Sequence, residues 1–487
     1  MIPIATPDEM AAIDEAAPEP VEELIERAGG ALARTALNML RGSYGRRVTV
    51  LAGKGNNGAD GRAAARRLRR RGVRVAVVDA ADGPEMLPAA HLAIDAAYGT
   101  GLRRPYSPPS PPPALGRPDR IAPILAADIP SGVDGLTGEI HGRAWSADHT
   151  VTFGALKPGL ILHPGAQRCG QVTVASIGLD VAAARAHLVT AEDVSNWLPA
   201  RPAESHKWHT ATWVIAGSPG MTGAARLAAS AALRGGSGYV RLSTPGLDAA
   251  HLLSGPAAPI EAVGCPLPAK HWGTAAVGAE DISRFKSMLV GPGLGRRPDT
   301  VQAVRDLVAK SPLPLVIDGD GLAALGTDAP NLLAHRSSPT VLTPHDGEYR
   351  VLTGAAPPSD RFAAARSLAD ATGAIVLLKG PTTVVANAAG TAMAIANGDA
   401  RLATAGTGDV LAGLICGLLS AGAAPMNAAA AAAWLHGEAG NTRPSGAMAA
   451  SDLLIALPEV WSSIDNRPPA SALPTAWEPA AAPTAAP

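Results

Sequence analysis

Two aspartates stand where chemistry is easiest to place. In ATAGTGDVLAG, residues 403–413, Gly406, Thr407 and Gly408 run into Asp409, and apolar pairs follow at 410/411, 414/415 and 418/419, the spacing of a helix. Free N–H groups at a helix start hold a phosphate, so a carboxylate there needs a reason. Phosphoryl transfer supplies one: the amides face the arriving phosphoryl group while Asp409 takes the proton of the attacking hydroxyl. The bland alternative is an aspartate that helps to cap the helix. The second aspartate, Asp128, lies in AADIPSGVDGLTG, 126–138, at a strand end before a Pro–Ser–Gly turn.

Asp128 has two companions of the same kind. GKGNNG, 53–58, follows a strand and opens a helix, and Asp79 ends the next strand about 20 residues on, as in a dinucleotide-binding fold. The filling is unusual, because Asn56, Asn57 and Asp60 bring side-chain oxygens into the loop itself. A plain pyrophosphate loop has no use for a carboxylate; turn geometry alone is the competing explanation. IDAAYGTGL, 94–102, puts Asp95 at another strand end before a glycine turn. Strand ends carrying Asn57, Asp95, Asp128 and Ser131 predict one pocket of hard oxygens, suited to an alkali or alkaline-earth cation and not to zinc.

These residues need a frame. Residues 20–40 read as an opening helix with a stripe of Val21, Leu24, Ile25, Ala28 and Leu32. Strand, glycine loop, helix and strand then follow as a right-handed βαβ unit. The stretch 106–120 is too rich in proline for regular structure and is expected to be a surface loop. A boundary is expected near 200. Beyond it come strands at 211–216, 239–243, 287–290, 314–317, 340–343 and 374–378 and helices at 223–234, 299–310 and 409–421. Alternating strands and helices argue α/β layering in both halves. Residues 466–487 are Pro/Ala-rich and read as a disordered tail.

Bulk properties narrow the classes. At 487 residues the chain exceeds one ordinary core. It is 47% hydrophobic and 17% charged, as a folded soluble protein is. A net charge of −1 implies no polyanionic partner, and 3% aromatics leave little for stacking on nucleic acid. Cys169, Cys265 and Cys416 make no CxxC pattern and fit a reducing cytoplasm. Neither a signal peptide nor a membrane span is expected.

Taken in order, GKGNNGADG, DAAYGTGL, DIPSGVDGLTG and VTFGALKPGL resemble the NAD(P)H-hydrate epimerase domain over about residues 1–195. The resemblance implies a Rossmann-like α/β/α fold for 1–200. It implies hydrate contacts at Asn56, Asn57, Gly58, Ala59 and Asp60, at Gly99, Thr100, Gly101, Leu102, Arg103, Arg104 and Pro105, and at Asp128. Potassium would be bound by Asn57, Asp95 and Ser131, and Asp128 would carry the proton when the hydrated ring carbon inverts. Ala59 stands where the family usually has glycine, and the Pro-rich 106–114 replaces more regular sequence.

GSPGMTGAA, GPGLG, TPHDGE, KGPTT and NGDARLATAGTGDVLAG resemble, over about 205–465, the ADP-dependent NAD(P)H-hydrate dehydratase domain, which is ribokinase-like. By that resemblance 201–465 is a second α/β/α domain. Hydrate contacts fall on Ala224, Gly293, His345 and Asp409, and ADP contacts on Lys379, Gly380, Pro381, Thr382, Thr383 and Gly408, with Asp409 as the base. Mg2+ and ADP, or ATP in its place, are the implied co-substrates. The whole chain is thus similar to the bifunctional NAD(P)H-hydrate repair enzymes, which makes it a cytoplasmic isomerase and lyase with no nucleic-acid or membrane partner. A homo-oligomer is expected, on the glycine-rich helix 20–40. The rival readings are a sugar or vitamin kinase for the second half, a dehydrogenase for the first, and a non-catalytic nucleotide-binding module.

Overall fold

The structure, a computed structural model, describes residues 1–255, 258–442 and 446–465. The tail expected at 466–487 lies outside them. The chain divides into two compact units, Ile2–His187 and the segment from Leu188 onward. The division precedes the Pro-containing text near 200 because Val189 and Val194 are buried in the second unit's core.

In the first unit, helix α1 (Val21–Leu40) precedes β1 (Arg47–Ala52), α2 (Asn56–Arg70), β2 (Arg74–Asp79), β3 (Leu92–Ala96), β4 (Ile124–Ala127), β5 (His149–Phe153) and β6 (Gln171–Ala175). The sheet order is β2-β1-β3-β4-β5-β6, and every pair is parallel. Val48, Val50, Ala52, Ile94 and Ala96 meet Leu24, Ala28, Leu32 and Leu68 of α1 and α2 in one core cluster. Leu51, Ala93, Ile124 and Ala126 pack with Leu87 and Trp145 in another. Both faces of the strands are therefore covered, as a parallel sheet requires.

Two expectations change here. The α1 stripe is split: Leu24, Ala28 and Leu32 are buried, whereas Val21 is 48% exposed, and Val21 and Ile25 line a cavity with Leu24 and Ala28. Gly29 of α1 makes a close approach within the chain, since a Cβ there would strike Ala63 of α2. Finally, the Pro-rich 106–120 is not wholly irregular. It holds an antiparallel hairpin, Pro113–Ala114 with Arg117–Ile121. The prolines fit because their carbonyls suffice: Pro112 O accepts from the Ala122 N–H and Pro113 O from the Ala90 N–H, at 2.8 and 3.1 Å. Gly116, at φ 83°, turns the chain.

The second unit has β7 (Ala211–Ile215), α3 (Thr222–Arg234), β8 (Tyr239–Ser243), β9 (Val263–Gly264), β10 (Ser287–Val290), α4 (Pro298–Lys310), β11 (Leu315–Ile317), β12 (Thr340–Leu342), α5 (Asp346–Thr353), α6 (Arg361–Thr372), β13 (Ile375–Leu378), β14 (Thr383–Ala386), β15 (Ala392–Ile395), α7 (Thr407–Ser420), α8 (Pro425–Asn441) and α9 (Ala450–Asp465). Its strands run β15-β14-β13-β12-β11-β10-β7-β8-β9. All pairs from β13 to β9 are parallel, while β14 and β15 add an antiparallel hairpin beside β13. Val214, Leu242, Leu289, Val316, Val341 and Leu377 share a core with α3, α7, α8 and α9. Their neighbours Trp213, Met288, Leu315, Ile317 and Leu342 are also buried, so these strands too are covered on both faces.

Candidate functional sites at two sets of strand ends

In the first unit the chain leaves β1 toward β2 on one side, while β3 lies on the other. Ligands of such sheets bind beyond the carboxyl ends at that reversal. The loop after β1 opens α2 there, with Gly55 as N-cap; β3 brings Asp95 and β4 leads into Asp128. A cavity of about 690 Å3 is lined by Asn56, Asn57, Asp60, Gly99, Thr100, Gly101, Leu102, Arg103, Arg104 and Asp128. Gly58, Ala59 and Pro105 are not among its walls. Gly58 is packed against the backbone of Gly53, where a Cβ would not fit. Residues the sequence reading did not single out complete the wall, notably Met10, Asp14, Phe153 and Lys157.

Asp128 adopts φ 63°, a left-handed conformation uncommon outside glycine. Its N–H donates to Val151 O at 2.7 Å. Its Oδ1 accepts from Lys157 Nζ at 2.6 Å and from Thr152 Oγ1 at 2.9 Å. Lys157 is buried and also donates to Thr152 Oγ1 and Phe153 O, at 2.9 and 3.0 Å. Asp60 and Asp14 face the same cavity. Burial, then the charge of Asp128, pushes Asp60 up to about 8, and burial raises Asp14. The site is therefore an acidic cluster neutralised by one buried ammonium, with Asp60 holding its proton at neutral pH.

Asp95 and Ser131 are buried and bonded to each other: the hydroxyl of Ser131 donates to Asp95 Oδ1 at 2.6 Å and its N–H to Oδ2 at 2.9 Å. Burial holds Asp95 above the usual carboxylate range. Asn57 has both side-chain polar atoms buried with no hydrogen-bond partner. Such an orphan is costly unless something occupies it, and amide, carboxylate and hydroxyl oxygens are the ligand types a hard cation takes.

In the second unit Asp409 stands in the first turn of α7, behind Gly406 at φ 93°. Burial, then the charge of Asp318, lifts it to about 6. Lys379 crosses from the end of β13 and donates from Nζ to Asp318 Oδ1 at 2.8 Å, with Glu348 Oε2 at 3.7 Å. Thr343 Oγ1 donates to the same Asp318 oxygen at 2.7 Å. A Cβ on Gly408 would stand 3.6 Å from Lys379 Nζ and 4.0 Å from Asp318 Oδ2, so Asp318, Lys379 and the opening turn of α7 converge. The turn is braced from behind by buried His436, whose Nε2 lies 2.9 Å from Thr407 O. Burial pushes His436 down to about 4, leaving it neutral and its Nε2–H free to donate.

His345 caps α5, its Nδ1 accepting from the Gly347 and Glu348 N–H groups at 2.9 and 3.3 Å. Ala224 and Gly293 are neighbours: a Cβ on Gly293 would lie 2.9 Å from that of Ala224. Gly380 lies against the Arg361 guanidinium, which donates to Lys379 O at 2.7 Å. Pro381 and buried Thr382 follow, and Thr383 begins β14. Asp318 and Glu348 were visible in sequence as VIDGDGL and TPHDGEY, but nothing local placed them on Lys379. Lys157 had one signal, a lone cation in the otherwise uncharged VTFGALKPGL.

The folds and sites define a class: a two-part α/β protein with a dinucleotide-type crevice in one unit and, in the other, a carboxylate on the opening turn of a helix. The family model described as NAD(P)H-hydrate dehydratase matches residues 212–459, and that described as YjeF-related protein N-terminus matches 21–91 and 78–159. The bifunctional NAD(P)H-hydrate repair enzyme of Salinibacter ruber is 38% identical over 94% of this chain and 96% of its own. That of Escherichia coli is 34% identical over 86% of this chain and 84% of its own. A ribokinase-like superfamily protein from Enterococcus faecalis, 22% identical, covers 58% of this chain and 97% of its own with a TM-score of 0.50, and shares the fold of the second unit. The chain belongs to the family of bifunctional NAD(P)H-hydrate repair enzymes. Among the described residues no helix is long and apolar enough to cross a membrane.

Proposed function

We propose that the first unit interconverts the R and S forms of hydrated NADH and NADPH, and that the second dehydrates the S form at the expense of ADP. The observation that carries this is a pair of carboxylates with different surroundings: Asp128 beyond a strand end, on a buried lysine in a 690 Å3 crevice, and Asp409 on the opening turn of α7 beside Lys379 and Asp318.

In the first unit Asp128 takes the proton of the ring hydroxyl. The ring carbon–nitrogen bond opens, its electron pair goes to nitrogen, and the carbon becomes a carbonyl. The nitrogen takes the proton back from Asp128. Reversal after the carbonyl has turned closes the ring on its other face, with no net change in atoms. Arg103 and Arg104 on the rim supply charge for the substrate's phosphates, and Val21, Leu24 and Ile25 supply an apolar wall. Potassium would be held by Asn57, Asp95 and Ser131, where the orphaned Asn57 oxygen fits it. When bound it would tie the glycine loop to the end of β3.

In the second unit Asp409 removes the hydroxyl proton of the S hydrate as the oxygen attacks the terminal phosphoryl of ADP, with AMP leaving. The lone pair of the ring nitrogen then expels phosphate, and loss of a proton from the neighbouring carbon restores the reduced nicotinamide. Lys379 to Thr383 and Gly408 would take the nucleotide, and Ala224, Gly293 and His345 the hydrate. Magnesium suits a site of one or two carboxylates completed by nucleotide phosphates, and Asp318 and Glu348 are of that kind.

Absorbance at the reduced-nicotinamide band tests the reading. With both hydrate epimers, ADP, magnesium and potassium, purified protein should restore the absorbance fully. A plateau that leaves the R epimer unconverted would overturn the epimerase half. No recovery with ADP or ATP would overturn the dehydratase half in favour of a small-molecule kinase.

A further inference from the structure

We infer that Lys157 and Thr152 are a positioning pair that gives the two oxygens of Asp128 different tasks, Oδ1 to the scaffold and Oδ2 to the substrate. The inference rests on the epimerase reading above and adds to it two residues that the sequence reading left without a role. Oδ1 is fully engaged, by Lys157 Nζ at 2.6 Å and Thr152 Oγ1 at 2.9 Å. Lys157 has no freedom left either, because its three protons are spoken for by Asp128 Oδ1, Thr152 Oγ1 and Phe153 O. Thr152 accepts from Lys157 and donates to Asp128, so the three groups form a closed triangle.

Oδ2 lies 3.7 Å from the place a Cβ on Gly99 would take, and Asp128 and Gly99 both line the cavity. With Oδ1 saturated, Oδ2 is the oxygen that can exchange a proton with the ring hydroxyl. The backbone of Asp128 is held at φ 63° for the same end, and such conformations persist where the surroundings over-determine them.

Charge makes the same point. Asp14 from the helix Pro7–Glu15, Asp60 from α2 and Asp128 after β4 share the cavity wall with Lys157, and Arg103 and Arg104 line it as well. Lys157 bonds to Asp128 alone of these carboxylates, so it singles out one carboxylate of the cluster and fixes its orientation. Without Lys157, the Asp128 carboxylate would be free to rotate about its Cβ–Cγ bond. The loss should fall on turnover and not on binding, since Nζ is buried behind Oδ1.

The full-length chain, given the R epimer with ADP, reports epimerisation as absorbance recovery. The S epimer given alone reports dehydration and folding of the second unit. Lys157→Met should lower kcat for the R epimer by about a hundredfold or more with KM within about threefold, and leave S-epimer dehydration unchanged. Thr152→Val, which keeps the lysine and removes one donor, should lower kcat by about tenfold. Methylammonium should restore part of the turnover of Lys157→Ala and none of that of Asp128→Ala, which a merely structural lysine would not show. Unchanged kcat in both Lys157→Met and Thr152→Val, or a Lys157→Ala defect indifferent to methylammonium, would overturn the inference while leaving the epimerase reading intact. A wild-type chain that never converts the R epimer would overturn both.

Discussion

As the proposed base, Asp409 must be basic enough to take a hydroxyl proton and still be ionised at neutral pH. Burial among Asp318, Asp320 and Glu348 raises it, Lys379 opposes the rise, and the balance stands at about 6. The working form is the carboxylate, so activity should be lost as pH falls through that value. We expect kcat/KM for S-epimer dehydration to be level above about pH 7 and to fall by about tenfold per unit well below pH 6; a pH–rate profile flat to pH 5 would exclude Asp409 as the base. Both aspartates were legible in sequence because their glycine turns are immediate neighbours. Their cations were not: Lys157 lies 29 residues from Asp128, and Lys379 lies 61 from the Asp318 that orients it. No local pattern carries a pairing of that range.

At the scale of elements, helix α7, which carries Asp409, is placed by glycines on its back. A Cβ on Gly413 would strike Ala228 O, and one on Gly417 would strike Ala232 O, both on α3. Close helix contact of this kind brings the turn at Gly406 against Leu227 of α3, 2.7 Å from where a Gly406 Cβ would stand. Gly413→Ala should therefore push the helices apart, cost about 2–3 kcal/mol in the unfolding midpoint by urea, and reduce dehydration while sparing epimerisation. Equal loss of both activities would contradict this placement. The helices themselves were readable, since apolar spacing at 3–4 residues is local. The hairpin β14–β15 was not: five of the twelve residues of VVANAAGTAMAI are alanine, a weak strand former, and only its place beyond β13 makes it a sheet. The proline-rich hairpin at 113–121 was missed for the opposite reason, because a residue that cannot donate can still accept.

At the scale of the whole molecule, each unit has its own core and its own site, so each reaction should survive loss of the other. A mixture of Asp128→Asn and Asp409→Asn chains should convert both epimers completely, the S form made by the second being dehydrated by the first, while the double variant should convert neither. Stalling of the mixture with R epimer unspent would show that the two sites do not work independently. The sequence by itself determined the alternation of strands and helices, the glycine turns, and the carboxylates beside them, because each is written in residues within a turn or two of one another. Tertiary structure alone decided the rest. Val21 and Ile25 came to face a cavity, Gly29 met a neighbouring helix, Asn57 was left with a buried unpartnered amide, Asp128 gained Lys157, and the turn of Asp409 gained Lys379. These follow from which strand lies beside which in a parallel sheet, and that order is set by packing summed over the whole unit.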